Sequence, residues 1–321
     1  MKKSIIERSK EKTLILDGAM GTMIQKYRLE EEEYRGERFK DYGHPLKGNN
    51  DLLSITQPRI IQKIHEEFLE AGADIIETNT FNSNSISMED YKMSDLIDDL
   101  NRSSVRIAKA ACAKYSTEEK PRYVAGSIGP TNKTASLSPD VNDPGKRSVT
   151  FEDLRKSYYE QTKSLIEAGV DVLLVETIFD TLNAKAALFA IEEVQEDLGT
   201  EVPVMVSGTI TDASGRTLSG QTPEAFWTSL SHAKLFSIGF NCALGAKDME
   251  PHLEAVYKIA DVQLSCHPNA GLPNEFGEYD DTPENMSEVI GQWVDRGMVR
   301  IVGGCCGTTP SHIRKIAERV G

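Results

Sequence analysis

Val299-Arg300-Ile301-Val302-Gly303-Gly304-Cys305-Cys306-Gly307-Thr308-Thr309-Pro310 reads as a short apolar strand, a glycine-rich turn and the start of a helix. Pro310 suits a first helical position because it has no N–H to lose there. A strand that feeds directly into a helix is the unit of an α/β protein, so the question is how often it recurs.

It recurs eight times. Apolar segments lie at Thr13–Leu16, Asp74–Ile76, Tyr123–Ala125, Asp171–Val175, Val202–Val206, Phe236–Phe240, Val262–Ser265 and Val299–Val302. They are rich in Val, Ile and Leu without polar alternation, as parallel strands covered on both faces should be. Amphipathic stretches follow them at Pro58–Glu70, Asp95–Lys114, Phe151–Glu167, Asn183–Leu198, Pro223–Ala233, Asp248–Ala260, Pro283–Asp295 and Pro310–Val320. Eight strand–helix units predict a single (β/α)8 TIM barrel. A doubly wound open sheet is the alternative. Glu70-Ala71-Gly72-Ala73-Asp74 is echoed by Glu167-Ala168-Gly169-Val170-Asp171, and each echo leads to a glutamate, Glu77 or Glu176, on the same strand face. Two connections are long: Tyr27 to Gln57 after strand 1, with the run Glu30–Glu33, and Thr131 to Thr150 after strand 3. Both are expected at the C-terminal mouth, as lids, docking surfaces or solvated loops.

The bulk properties set limits. The chain has 321 residues, 39% of them hydrophobic and 27% charged, with a net charge of −14. That balance is ordinary for a globular protein and lacks the basic face a nucleic-acid partner requires. No signal peptide is visible at the N-terminus, and no run of about 18 apolar residues exists to span a membrane. Five cysteines are an odd number and do not suggest a disulfide framework. The expected setting is a reducing cytoplasm, where clustered cysteines point to metal or catalysis.

Polar residues at the C-terminal ends of barrel strands read as catalytic. Here they are Asp17 with Gly18 and Ala19, Glu77, Ser127, Glu176, Asn241-Cys242, Cys266-His267 and Cys305-Cys306. No lysine closes a strand, no G-x-S-x-G elbow occurs, and no G-x-G-x-x-G follows strand 1, which argues against Schiff-base, serine-hydrolase and dinucleotide chemistry. Gly303 to Gly307 could cradle a phosphate, but that leaves the cysteines without purpose. A vicinal Cys305–Cys306 disulfide is the remaining bland reading. Cys242, Cys305 and Cys306 instead suggest a catalytic zinc with three protein ligands and one open position. Neighbouring residues on a regular strand face opposite ways, so the pair can share one ion only if the backbone bends, which Gly303, Gly304 and Gly307 allow. Cys112, His65 and His252 read as packing or surface residues, and Cys266 and His267 as secondary candidates for the site.

At these cysteines the chain resembles the zinc-dependent homocysteine methyltransferase family. The resemblance covers essentially the whole length through Asp17-Gly18-Ala19-Met20-Gly21-Thr22, Glu77-Thr78-Asn79-Thr80-Phe81, Gly239-Phe240-Asn241-Cys242 and Gly303-Gly304-Cys305-Cys306-Gly307. Lys47–Leu53 and Gly126–Thr131 are more similar to the N-terminal homocysteine-binding module of cobalamin-dependent methionine synthase than to the betaine or S-methylmethionine enzymes. The resemblance implies one homocysteine-binding domain over residues 1–321, with zinc on Cys242, Cys305 and Cys306 and the homocysteine sulfur in the fourth position. It implies that Asn241 fills that position when substrate is absent. Asp17, Glu176 and Glu77 would hold the substrate ammonium, backbone N–H groups around Gly18 and Ala19 its carboxylate, and Ser127 a supporting place. Methyl transfer would give methionine, with methylcobalamin supplied by a cobalamin-binding module and folate handled by a further module, in the same or a separate chain. The cobalamin signature D-x-H-x-x-G is absent from this sequence. A self-sufficient enzyme using S-methylmethionine or betaine is the alternative.

Overall fold

The computed structural model describes residues 3–211, 214–275 and 279–321. Among them, eight parallel strands form one sheet: β1 Leu14–Ile15, β2 Ile75–Glu77, β3 Tyr123–Ile128, β4 Val172–Ile178, β5 Val204–Gly208, β6 Ser237–Gly245, β7 Gln263–Asn269 and β8 Ile301–Val302. The order is β1-β8-β7-β6-β5-β4-β3-β2. A single parallel bridge between Leu16 and Ile75 joins the two ends, so the sheet curls into a (β/α)8 barrel. Helices α1 Pro58–Ala71, α2 Ile97–Tyr115, α3 Phe151–Ala168, α4 Thr181–Leu198, α5 Pro223–Leu230, α6 Ala246–Tyr257, α7 Pro283–Asp295 and α8 Pro310–Val320 surround it.

Local sequence explains where these elements start and stop. Thr222-Pro223, Thr282-Pro283 and Thr309-Pro310 each place a threonine N-cap before a proline that opens a helix. Gly72 and Gly169 end α1 and α3 in the left-handed conformation, with φ of 116° and 89°. The aspartates of the echoed segment then stitch the sheet. Asp74 accepts from the Ile15 N–H at 3.1 Å, and Asp171 from the Val124 N–H at 2.9 Å. The echo is therefore a helix-stop and strand-pairing device.

Side-chain parity divides the core into two layers. Leu14, Leu16, Ile75, Tyr123, Ala125, Val172, Leu174, Met205 and Ile301 fill the lower barrel interior. The alternate residues, such as Val124, Leu173, Val206, Ile238 and Phe240, pack outward against the helices. The helix Ile5–Glu11 closes the N-terminal end, where Ile5 joins the interior cluster and the Tyr123 hydroxyl donates to the Lys3 carbonyl at 2.8 Å. With the lower interior filled by hydrocarbon, the upper end is left for polar residues.

The connections differ from expectation in two respects. The Glu30–Glu33 run is exposed but is not a loop: Glu31–Arg35 is a short helix with a capping box. The Glu31 carboxylate accepts from the Leu46 and Lys47 N–H groups, which offsets the clustering of negative charge. The Thr131–Thr150 segment is irregular throughout and is held by Ser136 against Asp180. A third long connection, unremarked in the sequence, follows β2 and contains the helix Ser85–Met88.

Candidate metal and substrate site

Three sulfurs meet at the mouth of the barrel. The Sγ atoms of Cys242, Cys305 and Cys306 all lie within 4.8 Å of one another, and Cys242 and Cys306 are 3.8 Å apart. A tetrahedral ion with metal–sulfur bonds of ~2.3 Å has sulfur–sulfur edges of about 3.8 Å. The donor set and its spacing therefore fit a thiophilic divalent metal with one coordination position to spare.

Two backbone features bring the sulfurs together. On β6 the pairing with β7 is regular through Asn241 and resumes only at Gly245. Within that bulge Cys242 and Ala243 have φ of 61° and 59°, a conformation that costs an L residue ~1–2 kcal/mol. The strain swings Cys242 out of the strand's alternation and over the mouth. On the other side, β8 ends at Val302, so Cys305 and Cys306 lie in a turn. Of the three glycines expected to bend this turn, only Gly307 takes a positive φ, 80°. Gly303 is a glycine for close packing instead, since a Cβ would meet the Leu16 backbone oxygen at 2.8 Å. The turn is pinned between its neighbours: Cys305 N–H donates to the Pro268 carbonyl at 2.8 Å and Gly304 N–H to the Asp17 carbonyl at 3.1 Å.

Three sulfurs this close cannot all be anions without a cation. Thiol hydrogen bonds from Cys242 and Cys305 pull Cys306 down to about 3, and contacts with Cys242 and then Cys306 push Cys305 well above the ordinary thiol range. A bound dication reverses that ranking by deprotonating every coordinating thiol.

Next to the sulfurs lies a polar ring made by the inward residues one step above the apolar interior. Asn241 is fixed on both sides. Its Oδ1 accepts from the Thr177 N–H at 3.0 Å and the Ser207 hydroxyl at 2.7 Å, and its Nδ2 donates to Thr177 Oγ1 and, at 3.8 Å, to Cys305 Sγ. The backbone donor at Thr177 fixes which end of the amide faces the sulfur. Thr177 can present it because it also sits in a bulge, with φ of 57°. Neither Thr177 nor Ser207 carries any mark in the sequence beyond its place at a strand end.

Asp17, Glu77 and Glu176 converge on the opposite side. Asp17 accepts from the Glu77 N–H at 3.2 Å, and Ser127 donates to Glu176 at 2.6 Å. The Glu77 and Glu176 carboxyls act on each other, raising Glu77 and drawing Glu176 down. Among the described residues no cation pairs with any of the three. Burial is the first cause that pushes all three carboxyls above their ordinary range. For Glu77 the negative charges of Glu176 and Asp17 add to it. An acidic cluster of this kind has the charge and burial to take up a cationic group.

The other residues singled out in the sequence are placed as follows. Gly18 lies under Thr308 and Phe68, where a Cβ would come within 2.9 Å of both. The Ala19 N–H donates to Thr308 Oγ1 at 3.2 Å. Cys266 turns away from the mouth, its sulfur 3.1 Å from Met249 Sδ of α6, so three thiols rather than four reach the site. His267, one residue on, has the inward parity. It is buried with an unpartnered Nε2, and burial lowers it to about 3. His65 is fully enclosed on α1, which selects packing between the two readings of it.

The family model for homocysteine S-methyltransferases matches residues 14–320. The chain belongs to the homocysteine S-methyltransferase family. Among solved structures it is similar to the metallated form of the homocysteine methyltransferase MmuM from Escherichia coli, at 21% identity and a TM-score of 0.75, covering 98% of this chain and 99% of that one. The oxidized form of the same enzyme aligns at 19% identity and a TM-score of 0.74, covering 96% of each chain. A 2-naphthoyl-CoA reductase shares the fold at 12% identity and a TM-score of 0.54, covering 80% of this chain and 46% of that one. A barrel common to a reductase and a methyltransferase does not carry the activity. Family membership does, and this chain is a methyltransferase with a three-cysteine site at its mouth. Among the described residues no helix is long and apolar enough to cross a membrane.

Proposed function

We propose that this chain activates homocysteine as a thiolate on zinc, for methyl transfer from methylcobalamin to give methionine. The supporting observation is the pairing of a three-sulfur cluster at tetrahedral spacing with a buried, uncompensated carboxylate trio. Cys242, Cys305 and Cys306 would hold the zinc, which when bound supplies the Lewis acidity that keeps a substrate sulfur deprotonated. Only roughly 3% of a free thiol is ionised at pH 7, so the gain in nucleophile concentration is large.

The chain's own residues do the rest. Asp17, Glu77 and Glu176 receive the ammonium, each charge-assisted contact worth about 1.5–3 kcal/mol. Ser127 holds Glu176 in place. The Gly18–Ala19 segment would take the substrate carboxylate, displacing Thr308 from the Ala19 N–H. Asn241 directs its N–H toward Cys305. Its Oδ1 could occupy the open position in the absence of substrate only by giving up the Thr177 and Ser207 contacts. Holding both ends of the amino acid fixes the sulfur in line with an incoming methyl group. On this reading residues 1–321 act as one homocysteine-binding domain, and cobalamin- and folate-binding modules, in this or another chain, supply the methyl group.

A self-sufficient enzyme is the second reading. The E. coli enzyme is named a homocysteine methyltransferase and aligns over 99% of its chain, so a barrel of this size carries that name alone. Zinc-loaded protein should be offered homocysteine with methylcobalamin, S-methylmethionine or betaine in separate reactions. Methionine from methylcobalamin only is the expected result. Methionine from either of the other donors would replace it with the second reading, and none from any donor would count against both.

A further inference from the structure

The turn that carries Cys305 and Cys306 is tied by one side chain to the segment that closes β1. Thr308 is fully buried. Its hydroxyl donates to the Cys305 carbonyl at 2.6 Å and accepts from the Ala19 N–H at 3.2 Å. Oγ1 is therefore the middle link of a hydrogen-bond chain in which each bond polarises the next. The side chain has little slack. A Cβ on Gly18 would come within 2.7 Å of Oγ1, and one on Gly304 within 2.5 Å of the methyl carbon. Glycines on both sides give Thr308 its place.

Two further bonds join the same segments and do not involve Thr308. The Gly304 N–H donates to the Asp17 carbonyl at 3.1 Å. The Gly307 N–H donates to the hydroxyl of Thr22, in the short helix Met20–Gln25, at 3.0 Å. These keep the backbones together whatever Thr308 does. Thr308 differs from them because its Oγ1 occupies the Ala19 N–H, the donor assigned above to the substrate carboxylate. Hydroxyl and carboxylate compete for one hydrogen.

We infer that Thr308 is a positioning residue that couples the amino-acid seat after β1 to the cysteine turn after β8, so that an occupant of the seat and the metal raise each other's affinity. The inference rests on the zinc and homocysteine reading above. In the metal-free protein the Ala19–Thr308–Cys305 chain helps to fix the turn, and a carboxylate that takes the Ala19 N–H breaks it. With metal bound the three sulfurs fix the turn themselves, and the break costs less. A ligand that binds to an already ordered protein loses less in ordering it, and the coupling is reciprocal. The competing role is structural alone, with the hydroxyl satisfying its neighbours and bearing on neither ligand.

Homocysteine cannot separate the two roles, because its sulfur would meet the metal directly. L-2-Aminobutyrate carries the same ammonium and carboxylate without the sulfur. Its affinity is measured by calorimetry on the reduced full chain, metal-free and zinc-loaded, and zinc affinity by chelator competition with and without it. The wild type is expected to bind 2-aminobutyrate about fivefold or more tightly when zinc-loaded, and zinc more tightly by the same factor when 2-aminobutyrate is present. Thr308→Val keeps the shape and removes the hydroxyl, and should bring both factors close to one. Thr308→Ser keeps the hydroxyl and should retain them. Thr308→Ala removes the same hydroxyl and keeps the test open should the Val variant fold poorly by circular dichroism. A lower melting temperature with the factors unchanged, or a wild-type factor below about twofold, would overturn the inference and leave the zinc reading intact. A wild-type chain that holds no zinc, or binds no 2-aminobutyrate, would overturn both.

Discussion

Asp17, Glu77 and Glu176 lie together with no cationic side chain paired to them among the described residues, and this cluster sets the clearest residue-level expectation. A carboxyl whose folded pKa is raised lends stability below its unfolded value, near 4.5 for Glu, and loses it as pH rises through the folded value. Glu77→Gln cannot ionise, so it escapes that loss. Its melting temperature should exceed the wild type's by about 2 °C at pH 8, for roughly 1 kcal/mol, and the gap should close toward pH 4. Its homocysteine affinity, measured by calorimetry on zinc-loaded protein, should fall at least tenfold. A variant less stable than wild type at pH 8 would show that the carboxylates are structurally paired and not held in reserve for a substrate. Cys306→Ser makes the complementary case: metal retention by elemental analysis should vanish while the circular dichroism spectrum is unchanged.

At the level of elements, the bulge in β6 is where backbone strain is spent on geometry. Ala243 holds a φ of 59° with a side chain that plays no part in the sulfur cluster. Ala243→Gly removes its Cβ penalty of ~1–2 kcal/mol and loses part of that to the greater freedom of glycine when unfolded. A rise in melting temperature corresponding to up to about 1 kcal/mol is expected, with zinc affinity unchanged. A fall would mean that the bulge is not strained. The same bulge marks the limit of what sequence shows. Strand and helix runs, threonine–proline helix starts and the Glu-Ala-Gly-x-Asp echo follow from periodicity and capping, and all are legible. The left-handed backbone at Cys242, Ala243 and Thr177 is not, because ordinary residues carry it and the surrounding pairing imposes it. The parity of Cys266 was hidden for a related reason. Adjacent strand residues face opposite ways, and only the register of β7 against β6 decides which of Cys266 and His267 enters the lumen.

On the scale of the whole molecule, the barrel's stability and its metal site are separable. The interior layer from Leu14 to Ile301 and the outer layer under the helices are filled without Cys242, Cys305 or Cys306, and the closing bridge between Leu16 and Ile75 uses none of the three. A zinc that folds its domain, as in small zinc modules, leaves an unfolded chain when it is removed. Here the hydrophobic layers remain after removal, so chelation should leave far-UV circular dichroism and a single cooperative unfolding transition in place. The melting temperature should fall only by the linkage contribution, about 2.7 kcal/mol when free zinc stands at 100 times its dissociation constant, and should recover when zinc is returned under reducing conditions. Stepwise change in free zinc would then trace a logarithmic rise in stability. Loss of the transition on chelation would instead make the metal structural, and the open coordination position would lose its meaning as a place for substrate.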